Sequence, residues 1–308
     1  MSSNVIYMPN KTKTIAKVFV LLIALVAFGF SMTYQRRIFI FSNANDNPIT
    51  EDRISFLVLG ETGRPIGWNF APDLTDTMML VDYRPKVGVA NLVSLPRDTF
   101  ITIDGQSFKM NEAFKRGKMD GLLNIVQQMT GIKTDKYVVV TVDLLKTIVD
   151  NLGGIDIDMK ANVIDSVSGY TIHAGKNHLD GNQVVFIARN RYAPEGDFFR
   201  EKNQQDVIRA MLQKIRSLNM LEKATFLFKM TPELAKLNTN INFQELLPLA
   251  DKFEKVRLNN VVVDFKTGIL QSANVPYYGS STAYALIPRA GVNNYSEMQQ
   301  YIQSKIEK

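Results

Sequence analysis

Apolar residues follow three patterns along this chain, and each pattern is typical of a different kind of element. The first is an uncharged, mostly apolar run over residues 18–35, which at about 1.5 Å per residue gives roughly 27 Å of helix, just enough to cross a bilayer. The second consists of short apolar runs, several of them continuous, which predict strands covered on both faces. These runs lie at Ile54–Leu59, Met78–Tyr83, Val87–Leu95, Tyr137–Val142 and Val261–Phe265. The third is helical periodicity, which covers residues 119–129, 143–152, 181–189, 204–217, 222–236, 243–255 and 295–306.

Strands and helices are thus mixed in order, which favours a layered α/β fold. Asp143 is expected to cap the second helix and Gly153 to end it, while Asp180 with Gln183 has the spacing of a capping box. We expect a three-layer α/β/α sandwich with a mixed central sheet, formed by one domain over residues 53–308. No internal repeat or low-complexity tract interrupts the sequence.

The amino-terminal segment predicts a membrane anchor. Three lysines precede residues 18–35 and two arginines follow them, with more positive charge on the amino-terminal side. We expect a short cytoplasmic tail (residues 1–17), an uncleaved transmembrane signal-anchor (residues 18–35), a polar linker (residues 36–52) and an external domain. A cleavable signal peptide is the main alternative, and a buried core helix is another.

Charge and composition exclude several function classes. Residues 1–37 carry five of the six net positive charges, which leaves +1 for the rest of the chain, so a basic surface for nucleic acid is not expected. Zero Cys excludes thiolate metal sites and Cys nucleophiles, and two His exclude a three-histidine site. The chain has no P-loop, no G-x-G-x-x-G fingerprint and no G-x-S-x-G elbow. His173 and His178 are interpreted as surface or capping residues.

Cationic residues follow predicted elements at positions where sheets of this kind bind ligands. Arg97 comes just beyond one strand, and Glu61 beyond another. Arg189 and Arg191 are two residues apart, so in an extended segment their guanidinium groups point the same way. Together they suit an anion such as phosphate.

A further cationic position lies on a helix. Arg200 and Gln204 share one face of a helix near its amino terminus, which also suits phosphate. The alternative for all these arginines is a solvated surface charge paired with Asp98, Glu195 or Asp197.

Carboxylates cluster near the same strand ends. Glu61, Asp73 and Asp76 could converge on a hard cation such as Mg²⁺, although each alone is also typical of a turn or cap. Carboxylates combined with several arginines suggest a metal-bridged diphosphate.

Seven ordered blocks of the chain resemble the LytR-CpsA-Psr family, over roughly residues 53–217. They read LVLGET, TDTMMLV, SLPRDT, KMNEAF, DNLGGIDIDM, HLDGNQVVFIARNRY and DFFREKNQQDVI. The resemblance implies a phosphotransferase of the bacterial cell envelope that attaches an undecaprenyl-diphosphate-linked glycopolymer, such as teichoic acid, capsular polysaccharide or exopolysaccharide, to peptidoglycan. It also implies an apolar pocket for the polyprenyl chain, Mg²⁺ as cofactor, and a single-pass protein of the cell membrane, with a Gram-positive source expected.

The resemblance also assigns roles residue by residue. Asp76, with Glu61, would hold the metal, and Asp76, Arg97, Arg189 and Arg191 would be catalytic. The diphosphate would be bound by Arg97, Lys109, Arg189, Arg191, Arg200 and Gln204. No general base is identified, with Asp98 and Asp73 as guesses.

Three departures from the family pattern bear on activity. Glu61 replaces the usual Asp, Leu74 stands where an Arg is common, with Arg64 as a substitute, and Asn203 replaces a second Arg. They leave open a second hypothesis, a non-catalytic membrane-anchored module that binds lipid-linked saccharide and regulates polysaccharide synthesis or export. A transcription regulator is a third, but the tail of residues 1–17 is too short for a DNA-binding domain.

Overall fold

The fold is described from a computed structural model, which describes residues 53–61, 74–165, 169–190, 197–241, 256–277 and 281–307. The strands are β1 Ile54–Glu61, β2 Thr75–Arg84, β3 Val89–Ser94, β4 Phe100–Ile103, β5 Gln106–Lys109, β6 Tyr137–Val140, β7 Ile155–Met159, β8 Val163–Ile164, β9 Thr171–Ile172, β10 Gly175–Leu179, β11 Asn238–Thr239, β12 Arg257–Val262, β13 Leu270–Tyr277 and β14 Ser281–Pro288. The helices are α1 Met119–Thr130, α2 Val142–Asn151, α3 Gly181–Arg189, α4 Asp197–Ser217, α5 Met220–Leu234 and α6 Ser296–Lys305, and short 3-10 turns cover Met110–Glu112 and Phe265–Thr267.

A mixed six-stranded sheet forms the centre of the domain. Its strand order is β11-β6-β1-β2-β3-β12. β1 pairs in parallel with β6 and β3 with β12, whereas β2 runs antiparallel to both of its neighbours. All six residues of β3 are buried, as expected for a strand covered on both faces. The mixed central sheet predicted from the sequence is therefore confirmed.

Helices cover the two faces of this sheet. On one face, sheet residues such as Leu57, Leu80 and Val93 pack with α1 and α6, which contribute residues including Leu122 and Met298. Helices α2 to α5 lie on the other face and share a second apolar cluster with the β7–β10 hairpin. Each fully buried aliphatic side chain of this kind stabilises a fold by about 1.5–3 kcal/mol, so the two clusters hold the three layers together.

One glutamine fixes helix α4 to the sheet. The buried Gln205 amide donates to the Ser94 hydroxyl at 2.8 Å and to the Leu92 carbonyl oxygen at 3.3 Å. Because both acceptors belong to β3, the hydrogen bonds set how α4 lies across the sheet.

Helix starts agree in part with the sequence. Asp180 and Gln183 form the expected capping box at the start of α3. The expectation that Asp143 caps α2 was wrong: Thr141 is the cap, and its hydroxyl accepts from the Leu144 N–H at 3.1 Å. Asp143 lies in the first turn instead, where a negative charge still favours the helix dipole.

Several element boundaries differ from those expected. β2 begins at Thr75 rather than Met78, and α4 at Asp197 rather than residue 204. β12 begins at Arg257 rather than Val261, because its polar residue Asn259 has a hydrogen-bond partner in Asn91 on β3, at 2.8 Å. The predicted anchor (residues 18–35) and the predicted helix at 243–255 lie outside the described residues. In the part of the chain that the structure describes, no helix combines the length and hydropathy needed to span a bilayer.

Candidate active site

A β-bulge shapes the end of β1 and the start of β2. Gly60 pairs with Thr77, but Glu61 pairs with Thr75, so Asp76 is the extra residue. Successive strand residues normally point to opposite faces. Here Asp76 and Thr77 both line the same cavity, as do Gly60 and Glu61. The bulge and the strand end therefore turn both carboxylates toward that cavity, which is a known use of bulges beside functional sites.

Gly60 permits the close approach of the two strands at this point. A Cβ atom added to Gly60 would lie 2.7 Å from the Thr77 Cβ and Oγ1 atoms, closer than side chains tolerate. The glycine is therefore required by packing where the cavity begins.

Arg97, in the loop that follows β3, contacts the Asp76 carboxylate at this cavity. Its Nη1 bonds to Asp76 Oδ1, while its Nε lies 3.5 Å from Asp98 Oδ2. Asp98 Oδ1 in turn lies 3.2 Å from Nζ of Lys109, at the end of β5. The loop is held in place by backbone bonding, because the Asn111 N–H donates to the Arg97 carbonyl oxygen at 3.0 Å. One continuous set of ion pairs thus links Asp76 to Lys109.

Helix α4 brings a second arginine to Asp76. Arg200 is only 1% exposed, its Nη2 donates to the Asp76 carbonyl oxygen at 2.9 Å, and its Nη1 lies 4.0 Å from Asp76 Oδ2. One turn further along, Gln204 Nε2 donates to the Ala188 carbonyl oxygen at 3.0 Å. This bond joins α4 to the end of α3, which carries Arg189.

A cavity of about 190 Å³ lies between the sheet and helices α2, α3 and α4. Its polar lining comes from strand ends, with Glu61, Asp76, Thr77 and Thr141 beside Gly60, and from helices α3 and α4, with Arg189, Arg200 and Gln204. The rest of the wall is apolar, made by Val58, Val140, Val142, Leu145, Ile148, Ala188, Val207, Ile208 and Met211. The site is therefore amphipathic, with charged groups at one end and an aliphatic wall beyond them.

The structure brings most of the sequence-predicted site residues together. Five of them line this one cavity, namely Glu61, Asp76, Arg189, Arg200 and Gln204. Arg97 contacts Asp76 directly, and Lys109 is connected through Asp98. Arg191, Asp73 and Arg64 lie outside the described residues. The expectation that Asp76 precedes its strand was wrong, because Asp76 lies within β2.

The departures at Asn203 and Glu61 now have structural settings. Asn203 is buried and donates to the Ile187 carbonyl oxygen at 3.3 Å, so it ties α4 to α3 and does not line the cavity. Glu61 does line it. His178, expected on the surface, bonds to Asp156 at 2.7 Å and to the Gly153 carbonyl oxygen at 3.0 Å, which ties the β7–β10 hairpin to the end of α2.

Sequence reasoning did not find Thr77, Thr141 or the apolar wall. Thr77 follows Asp76 in the sequence, and Thr141 lies near the end of a predicted strand. These neighbours were the available signal that the two threonines belong to the site. The wall residues have the periodicity of ordinary core residues, so the sequence alone offers nothing to separate them.

Two carboxylates of the site, Glu61 and Asp76, bear on metal binding. Within the described ranges, no group of three or more His, Asp or Glu side chains is placed to hold one. Mg²⁺ bound with substrate phosphates typically uses only one or two protein carboxylates, with phosphate oxygens and water completing its shell. Glu61 and Asp76, which line one cavity at adjacent strand ends, fit that donor set.

The fold and this cavity define a class, that of mixed α/β domains with an apolar cavity that opens among carboxylate and guanidinium groups. The LytR_cpsA_psr family matches residues 34–285. The chain therefore belongs to this family.

Curated relatives carry two kinds of name. The polyisoprenyl-teichoic acid–peptidoglycan teichoic acid transferase TagU of Enterococcus faecalis is 31% identical over 179 residues, 57% of this chain and 58% of that protein. The TagU of Bacillus licheniformis is 25% identical over 206 residues, 66% of each chain. Biofilm regulatory protein A of Streptococcus mutans is 28% identical over 226 residues, 67% of this chain and 56% of that protein. The chain thus spans less than two thirds of the length of these relatives.

Solved structures share the fold. Bacillus subtilis TagV is similar with a TM-score of 0.60 and 24% identity, over 83% of this chain and 98% of that one. A structure described as TagT bound to LIIa-WTA has a TM-score of 0.61 and 20% identity, over 86% of this chain and 99% of that one.

Proposed function

We propose that the protein is a phosphotransferase that moves a glycopolymer from an undecaprenyl diphosphate carrier onto peptidoglycan and joins the two through a phosphodiester. Teichoic acid, capsular polysaccharide and exopolysaccharide are the candidate polymers. Membership of the family and the transferase names of relatives at 25–31% identity support this class of reaction.

The observation that carries the proposal is the amphipathic cavity. A polyprenyl diphosphate has a dianionic or more highly charged head joined to an aliphatic chain. Arg200 and Arg189 at the polar end, with Arg97 held against Asp76, match the head, since guanidinium groups bind phosphate through paired hydrogen bonds. Val207, Ile208 and Met211, which follow Arg200 and Gln204 along the same face of α4, match the chain.

The reaction requires an acceptor hydroxyl to attack the phosphorus that bears the sugar. In this family the acceptor is expected to be the C6 hydroxyl of N-acetylmuramic acid. The bond from this phosphorus to the bridging oxygen then breaks, undecaprenyl phosphate leaves, and the proton of the attacking hydroxyl passes to water. Negative charge grows on the bridging and non-bridging oxygens, and arginines placed beforehand stabilise that charge more than they stabilise the ground state.

Each residue has a distinct part in this scheme. Arg97 and Arg200 turn from Asp76 toward the phosphate oxygens. Asp98 positions Arg97 and Lys109 so that they can contact the second phosphate. Gln204, fixed to the Ala188 carbonyl oxygen, keeps Arg189 and Arg200 on opposite sides of the head group. The apolar wall keeps water away from the prenyl end.

Asp76 and Glu61 would hold Mg²⁺ beside the diphosphate. When bound, the ion would supply charge neutralisation at the phosphate oxygens.

The remaining parts of the proposal concern location. A signal-anchor at residues 18–35 would hold the protein in the cell membrane, with its amino terminus in the cytoplasm and the domain outside, beside both the lipid carrier and peptidoglycan. No nucleic-acid partner is proposed.

The test uses the full-length protein in detergent with Mg²⁺, an undecaprenyl-diphosphate-linked disaccharide and a peptidoglycan fragment. We expect a covalent saccharide–peptidoglycan product, measured by mass spectrometry, that disappears in Arg97→Ala. Wild-type protein that binds the lipid but forms no product would overturn the proposal.

That last outcome would favour a second candidate, a membrane-anchored regulator that binds lipid-linked saccharide. Its support is the similarity to Biofilm regulatory protein A and the family arginines that Leu74 and Asn203 replace.

A further inference from the structure

The β13–β14 hairpin is bonded to the loop that carries Arg97, whose side chain contacts Asp76 at the cavity. The Leu286 N–H donates to the Asp98 carbonyl oxygen at 2.9 Å, and Leu286 also forms a bridge with Thr99. The hairpin is thus fixed by its backbone to the loop that carries Arg97 and Asp98. Whatever this hairpin exposes lies next to the ion pairs of the site.

The two faces of the hairpin have different environments. Val275 and Ala285 point to one face and pack against Phe100. The opposite face carries Tyr284, with Asn274 directly across from it in register and Thr282 two residues away. All three are exposed. This face is therefore an uncharged patch of one aromatic ring flanked by an amide and a hydroxyl.

Tyr284 is oriented toward the site. The Lys109 ammonium lies 5.9 Å from the centre of its ring, and Lys109 is bonded to Asp98. Tyr284 is 48% exposed, so much of its ring surface is accessible to a ligand. Such surfaces beside a binding cavity are typical of ligand contacts.

We propose that this exposed face of the β13–β14 hairpin, centred on Tyr284 with Asn274 and Thr282, is a subsite for the neutral saccharide attached to the diphosphate. The inference rests on the proposed function and deepens it. A pyranose ring has an apolar face of C–H groups that stacks on an aromatic ring, and a rim of hydroxyl and acetamido groups that hydrogen-bond to amides and hydroxyls. The three side chains of the patch offer both kinds of contact, and the neighbouring Lys109 ammonium is already paired with Asp98, which suits a sugar rather than another phosphate.

The location also agrees with the chemistry of the donor. The prenyl chain and the sugar leave the diphosphate in different directions. From Asp76, which lines the cavity, Arg97, Asp98, Lys109 and Tyr284 form successive contacts, and none of these four residues lines the cavity. The saccharide would thus leave the head group along this second path.

The experiment measures binding of two lipids to the full-length protein in detergent, by fluorescence competition or calorimetry. One lipid is undecaprenyl diphosphate, and the other is the same lipid carrying N-acetylglucosamine. We expect Tyr284→Ala to weaken binding of the sugar-bearing lipid about 5- to 10-fold, the range of one aromatic contact. Binding of the sugar-free lipid should change less than about 2-fold, and Tyr284→Trp should restore the sugar preference.

Tyr170→Ala is the matched control, because Tyr170 is 43% exposed and pairs with Phe186 away from the hairpin. It should leave both affinities unchanged. Asn274→Ala should weaken only the sugar-bearing lipid, and melting temperatures would show that all variants are folded.

The outcomes separate the two proposals. If Tyr284→Ala weakens both lipids equally, the residue acts through Lys109 on the phosphate and the saccharide subsite is overturned. If it weakens neither, the subsite is likewise overturned while the proposed function stands. If the wild-type protein binds neither lipid, the proposed function fails and the subsite with it.

Discussion

Two aspartates on the same strand lie in opposite situations. Asp76, at the start of β2, is bonded to Arg97 and approached by Arg200, and its side chain is 15% exposed beside a cavity. Asp82, further along β2, lies between Arg53 at 2.6 Å and Arg84 at 3.1 Å, accepts from Asn91 at 3.1 Å, and is fully buried. Both are acids between two arginines. The difference is access, because the bulge opens space beside Asp76 while the partners of Asp82 enclose it.

The comparison shows how to separate a functional charge cluster from a structural one. A carboxylate enclosed by hydrogen bonds contributes to folding and has no room for a ligand. A carboxylate that shares its cations with a cavity can exchange them for a ligand's phosphates.

Asp82→Ala should give the largest effect, on stability. Removing one partner from a buried ion pair typically costs 3–5 kcal/mol, and here Arg84 and Arg53, whose side chains are 19% and 31% exposed, would lose their partner while partly buried. The free energy of unfolding, measured by denaturant titration of the full-length protein, should fall by about 3 kcal/mol. The activity of the fraction that remains folded should stay near that of the wild type, and loss of activity without loss of stability would contradict the distinction.

Asp76→Asn should have the opposite outcome, with a large loss of activity and little loss of stability. The substitution keeps the shape but removes the charge that orients Arg97 and would hold a cation, so we expect transfer to slow by about 10²- to 10³-fold, the usual cost of losing one electrostatic group in an active site. Product formation under single-turnover conditions gives the rate, and the melting temperature should change little. A rate within 10-fold of the wild type would argue against a catalytic part for Asp76.

Ile208→Trp tests whether the apolar part of the cavity beside Asp76 holds the prenyl chain. Ile208 lines the apolar wall on α4, and an indole there would occupy space for the prenyl chain. With each methylene excluded from an apolar site costing about 0.8 kcal/mol, affinity for undecaprenyl diphosphate should fall roughly 10-fold or more. A soluble short-chain diphosphate should be affected less, and Gln213→Trp, on the exposed side of the same helix, should be neutral. Equal losses for long and short chains would contradict this position for the chain.

Asp150 is a third aspartate, on the surface, and should give the smallest effect. Its pKa is lowered, first by the side-chain hydrogen bond from Lys146 and then by the Gly181 N–H, and the group is 40% exposed. A lowered pKa gives stability that is present above the unfolded value of about 3.9 and is lost as the pH falls through the folded value. Asp150→Asn should therefore cost less than about 1 kcal/mol at pH 7. In urea titrations the difference from wild type should shrink as the pH falls and Asp150 becomes protonated in the folded protein, and a difference that grew at low pH would contradict it.

Much of the fold could be predicted from local patterns. The runs at β1 and β3 and the periodicity of α1 and α3 are strong because the same residues satisfy both local propensity and burial. β12 was shortened, since Asn259 and its neighbours look polar until Asn91 is known to lie beside them. The hairpins β4–β5 and β13–β14 were missed, because β4 and β5 are short, β13 and β14 mix polar with apolar residues, and all four strands are defined by pairing with each other.

The candidate site shows the same division. Asp76, Arg97 and Arg200 could be selected from motif and resemblance. The bulge that turns Asp76 toward the cavity depends on the register between β1 and β2, which no single strand encodes. The part played by Asn203 was likewise hidden, since its partner Ile187 lies on another helix. The uses proposed for these residues stay predictions until the experiments above are made.

Helix α4 fixes the distance between the polar and the apolar part of the cavity wall. Arg200 and Gln204 lie at its polar end and Met211 lies toward its apolar end. Gln205, on the neighbouring face, holds the helix against the sheet through hydrogen bonds. The spacing between the two ends therefore cannot stretch. An amphiphilic ligand bound along this helix would therefore have its head group at the same position, whatever the length of its apolar chain.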